Sequence, residues 1–184
     1  MTAIWNNFAE GSDNLEHYAD VITALGAATA SSSKEIATGL EKFAAIANTV
    51  GLSYENATAA LATITATTRQ SADTVGTGLR TVFSRLESLK LGETLEDGVG
   101  LTKYTKALDT VGVKALDATG ELRDMNDVLA DLGERWTVLS RAQQMALAQT
   151  IGGVRQYATI MALMENFDKY EKNLSIAENA DGTL

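Results

Sequence analysis

The 184 residues contain no proline, although average usage of about 5% would supply roughly nine. Aromatic residues make up 6%, and Ala, Leu and Thr abound; both facts favour helices over a strand-and-turn fold. Glycine is then the main punctuation, with 15 along the chain. One unbroken helix of this length would be a rod of about 280 Å at 1.5 Å per residue. Gly51, Gly112 and the Gly152-Gly153 pair interrupt it, so the segments fold back on one another. The expectation is an all-α, multi-helix, glycine-punctuated fold.

Apolar spacing places the helices. Ile4, Phe8, Gly11, Leu15, Tyr18, Ile22 and Leu25 alternate by four and three, which keeps one helix face apolar and predicts a long first helix with an interruption near Gly11. Ser32 and Glu35 form a capping-box pattern before Ile36, Leu40, Phe43, Ala47 and Val50, and Gly51 supplies the C-terminal cap. Ser53 caps a third helix with Ala57, Leu61 and Ile64 on its buried side. A fourth starts near Ser71 and carries Val75, Leu79, Val82, Leu86 and Leu89. GETLEDGVG, between Gly92 and Gly100, reads as a loop, and a short helix follows around Leu101 to Leu108.

In GVKALDATGELRD, two short β-compatible runs flank Asp117 to Gly120, which suggests a small hairpin near 113–123. Met125, Val128, Leu129, Leu132 and Trp136 then share one helix face. Ser140 and Gln143 fit a second capping box before MALAQTIGG. The final helix is expected over 153–180, where Ile160, Leu163, Phe167, Tyr170, Leu174 and Ala177 keep a three-four register with charged residues between them. That stripe is a candidate association face, and the alternative is that it packs on the chain's own core. Val82, Leu86, Leu129, Leu132 and Trp136 are predicted to be buried.

A hydrophobic share of 45% and a charged share of 21% fit a globular chain, and the net charge of −9 argues against a general nucleic-acid binder. Without cysteine there is neither a disulfide framework nor a thiolate metal cluster. MTAIWNNFAEGSD lacks the basic and apolar regions of a signal peptide. No run approaches the roughly 20 apolar residues of a membrane span.

Gly76 and Gly78 sit inside a helical repeat, where each costs about 1 kcal/mol relative to alanine. A phosphate-binding loop would need a preceding strand and a lysine, and here Leu79 and Arg80 follow. The pair is therefore assigned to close helix packing. Arg80, Arg85 and Lys90 point in separate directions at about 100° per residue and read as surface charges. Asp124, Asp127, Asp131 and Glu134 form an acidic face without a calcium-loop pattern, read as solvated. His17, the single histidine, has no nucleophile motif beside it, and the sequons at Asn56 and Asn173 are read as chance. No catalytic, cofactor-binding or metal-binding residue is assigned.

Taken in order, GTGLR, TGELRDMNDVLADL and IGGVRQ closely resemble the core region of phage tail tape-measure proteins of long-tailed phages and prophages. The resemblance covers roughly residues 15 to 180. It implies a virion structural protein in the lumen of the tail tube, where chain length sets tail length, tube subunits polymerise around it, and it leaves ahead of the DNA. The implied partners are other copies of itself, the tail-tube protein, tail-tip proteins and tail-assembly chaperones, with no specific nucleic acid. Assembly would take place in the host cytoplasm. The segment 1–184 then reads as one helical region of a longer protein, with 153–180 leading into the rest. An alternative function is membrane perturbation during genome delivery; an enzymatic role would need a histidine or carboxylate pair in a cleft, which the sequence does not display.

Overall fold

The computed structural model describes residues 14–183. Among them are eight α-helices: α1 Leu15–Ala28, α2 Ser33–Thr49, α3 Tyr54–Thr68, α4 Ala72–Lys90, α5 Leu101–Thr110, α6 Met125–Arg135, α7 Arg141–Glu165 and α8 Phe167–Glu178. A 3-10 turn, Trp136–Val138, links α6 to α7. The fold is all-α. Ile4, Phe8 and Gly11 lie outside the described residues.

The caps that set these boundaries are local. Ser32 and Ser140 each accept the backbone N–H three residues on, and Glu35 and Gln143 return a side-chain bond to the cap N–H. Ser53 and Ser71 accept from Asn56 and Thr74. At the end of α2, Gly51 adopts φ +79°, its N–H reaches the Asn48 carbonyl, and Leu52 N–H reaches that of Ala47. These two bonds satisfy carbonyls left open by the helix end.

Helix α3 lies at the centre. The sequence suggests one buried face, yet every residue from Ala57 to Thr65 is buried. Ala and Thr are small enough to admit neighbours on all sides. Thr58 and Thr63 donate their hydroxyls to the carbonyls of Tyr54 and Ala59, at 2.6 and 2.7 Å, so no polar partner is needed from outside the helix. Helix α1 meets α3 through Tyr18 and Tyr54, whose ring centroids are 4.3 Å apart, and the Tyr54 hydroxyl donates to the Tyr18 carbonyl. Helix α8 docks on α3 by Tyr170 Oη to Asn56 Oδ1 (2.5 Å) and Asn173 Nδ2 to Thr63 Oγ1 (3.0 Å). Both sequon asparagines are thus used within the fold.

Two expectations are corrected. The hairpin near 113–123 narrows to one antiparallel bridge, Leu116 to Leu122. Asp117 Oδ1 closes the turn by accepting from the Thr119 hydroxyl and from the backbone N–H groups of Thr119 and Glu121, and these bonds, the hydroxyl's foremost, hold its carboxyl below the usual range. Arg123 N–H still reaches the Ala115 carbonyl, but from Met125 on the backbone bonds the end of α2, so the ladder extends no further.

The helix expected over 153–180 is two pieces. Gly153 is non-helical at φ 74°, ψ 177°, and a second break falls at Asn166 (φ −115°, ψ 30°) between α7 and α8. Asn166 Nδ2 bonds the Ala162 carbonyl as the helix ends. The break lets the faces before and after it turn to different neighbours.

Candidate functional site

The motif residues converge on helix junctions. On α2 and α4, Gly39 and Gly76 face each other across a crossing. A Cβ on Gly39 would lie 2.6 Å from the Ala72 carbonyl oxygen, and one on Gly76 would strike the Gly39 carbonyl, with its carbon 3.0 Å away. Two backbones touch here because each helix presents a glycine. Phe43 and Phe83, with centroids 6.0 Å apart, and the Lys42–Asp73 ion pair at 3.2 Å join the same two helices. Gly78 has a softer neighbour. Its Cβ would lie 2.6 Å from Gln156 Oε1, an atom that also accepts from the Thr159 hydroxyl. GTGLR and IGGVRQ are therefore in contact.

Arg85 tightens that junction, and here the reading of it as a plain surface charge is corrected. Its guanidinium is half-buried. It donates to the Ile151 carbonyl (3.2 Å), the Thr150 carbonyl (3.1 Å) and Asp97 Oδ2 (2.9 Å). Partial burial works against ionisation of Asp97, but the Val99 N–H and the Arg85 guanidinium outweigh it and hold the carboxyl below its ordinary range. The side chain's direction on α4 is legible from the sequence; that broken-helix carbonyls lie opposite it is not.

The middle of the third motif meets the end of α2. Met125 and Asn126 donate their backbone N–H groups to the carbonyls of Val50 and Gly51 at 3.0 and 3.3 Å. Lys90 reaches the Thr49 carbonyl from α4. Arg123 bridges the Lys114 carbonyl and Asp131, at 2.9 and 2.8 Å. Of the acidic face, Asp131 is paired with Arg123, while Asp124, Asp127 and Glu134 are exposed.

His17 occupies another junction. Nε2 meets Glu55 Oε1 at 2.5 Å and Nδ1 meets Asp181 Oδ1 at 2.6 Å, so one ring ties α1 to α3 and to the C-terminal turn. Gly182 N–H adds a bond to Asp20. Among the described residues no three of His, Asp and Glu converge as metal ligands. An open groove of about 530 Å³ runs along α4, lined by Thr77, Arg80, Thr81, Ser84, Ser88 and Glu96 among others.

The three-four stripe faces inward. Ile160, Leu163, Phe167 and Tyr170 are buried within this chain, Ala177 is fully covered, and Leu174 is half-buried against the core. The Phe167 ring fills the space that a side chain at Gly133 would need. Gly39 and Gly133 are structural residues that the sequence reading missed. A signal existed for Gly39, which lies within the apolar run Ile36, Leu40, Phe43.

Helix-joining glycines, one arginine clamp and side-chain bridges between helices define an all-α protein whose motif residues lie at helix contacts. The sequence model of the family described as phage-related minor tail protein matches residues 1–153, and the chain belongs to that family. It is a virion-associated protein of the phage tail. The matched stretch ends at Gly153, the turn of α7. No solved structure matches the chain. Among the described residues no helix is long and apolar enough to cross a membrane.

Proposed function

We propose that this tail protein is the core region of a tape-measure protein and acts structurally, not catalytically. The observation that carries the reading is the ordered run of GTGLR, TGELRDMNDVLADL and IGGVRQ in a member of the phage-related minor tail protein family. In this role it occupies the tail-tube lumen, several copies together, as part of a longer chain that leads on through residues 153–180. Tube subunits assemble around it, and tail-tip proteins and tail-assembly chaperones are its other partners. It leaves ahead of the DNA.

The test is tail length. Duplicating a helical stretch of 20 residues in the full-length gene should lengthen tails by about 30 Å if the added residues are extended as helix, as measured by electron microscopy. Intact tails of unchanged length would overturn the tape-measure role while leaving family membership untouched.

A further inference from the structure

Helix α7 does not run straight. Arg141 Nη1, at its start, bonds Glu165 Oε1, at its end, at 2.7 Å. In an unbroken helix these residues would be about 36 Å apart. The reversal occurs at Gly153, whose φ of 74° and ψ of 177° are accessible essentially to glycine alone. With that backbone, Val154 and Arg155 cannot donate to the carbonyls of Thr150 and Ile151, as a continuous helix would require. Arg85 takes both places, through Nη2 at 3.1 Å and Nε at 3.2 Å, and is itself steadied by Asp97. One side chain from α4 replaces the two hydrogen bonds that the turn removes.

The sequence nevertheless carries a helical register straight through the turn. Leu147, Ile151, Val154, Ala158 and Met161 are spaced four, three, four, three, with no proline among residues 141–165. In the reversed form that register is broken up: Leu147 and Ile151 are buried, while Val154 is 75% exposed. We propose that α7 is a two-state hairpin, held shut by Arg85, which straightens into one 25-residue helix of about 37 Å when the clamp is withdrawn. Straightening aligns Val154 with Leu147, Ile151, Ala158 and Met161 on a single face. Burial of Leu147, Ile151, Ile160 and Leu163 favours the closed form, and two glycines in mid-helix weaken the open one. The inference stands on the hairpin's geometry and does not depend on the tape-measure role.

Spin labels test it directly, because the chain has no cysteine of its own. Ala142→Cys and Glu165→Cys place one label near each end of α7, and pulsed dipolar spectroscopy reads their separation in the 184-residue chain. A short distance is expected to dominate the parent. Arg85→Gln should raise the population near 35 Å, the span of 23 helical residues, by about tenfold. Gly153→Ala, which cannot hold the turn, should do the same with helix content retained by circular dichroism. A single short distance in both variants would overturn the proposal. So would loss of helix content without a population near 35 Å.

Discussion

A methyl group on Gly76 would press on the Gly39 carbonyl, and a backbone in the middle of α2 has nowhere to retreat. Gly76→Ala should therefore lower stability by about 1–3 kcal/mol, the usual cost of overpacking, despite a helix-propensity gain of about 1 kcal/mol. Gly78→Ala meets the movable end of Gln156 and should be close to neutral. Urea midpoints of the two variants check this, and equal effects would mean that the crossing is not the tight point. His17 gives a pH-dependent counterpart. Partial burial pulls its pKa down, but its bonds to Asp181 and Glu55 prevail and raise it above the ordinary 6.5. A raised folded-state pKa contributes stability that is fully present below the unfolded value and is lost as pH rises through the folded value. His17→Gln should thus lower the melting temperature more at pH 6 than at pH 9, where the charged form's share is gone. A gap that persists unchanged at pH 9 would show that the ring acts through packing alone.

At the scale of elements, the helices are held by caps at their ends and by large side chains at their contacts. Ser140→Ala removes half of the capping box that starts α7 and should cost about 1 kcal/mol. Trp136 is 2% exposed in the 3-10 turn that joins α6 to α7. Trp136→Ala should cost about 3–5 kcal/mol, and a thermal melt that does not move would remove it from the core. Element identity was readable because it rests on spacing and caps: Ser32, Ser53, Ser71 and Ser140 each bond within three residues of themselves. The 113–123 segment was harder, because β-compatible residues become strands only where a partner continues the ladder, and after the Arg123 bond to Ala115 the backbone turns to Val50 and Gly51, through Met125 and Asn126.

For the whole molecule, the three-four stripe decides how the C-terminal part behaves. A coiled-coil face and a core face share the same spacing, and here the stripe closes on α3 and on Gly133. Phe167→Asp should therefore melt the fold: the urea midpoint should fall sharply while the light-scattering mass below the transition stays as it was. A drop in mass at unchanged stability would return the stripe to an association role. Leu174→Asp, at a half-buried position, should have a smaller effect.

What the sequence alone determined is the set of local, periodic features. Without proline, and with apolar residues every three or four positions, the chain becomes helices; its serines and Gly51 mark their ends; its motif order points to a phage tail protein. These follow from interactions within a few residues, which spacing expresses directly. Only the tertiary structure decided which faces meet. It buried α3 on all sides, brought Arg85 to the carbonyls of Thr150 and Ile151, and closed α7 so that Arg141 meets Glu165. Each of these joins residues far apart in the chain, and a pattern of local spacing carries no record of which distant surface will complete it.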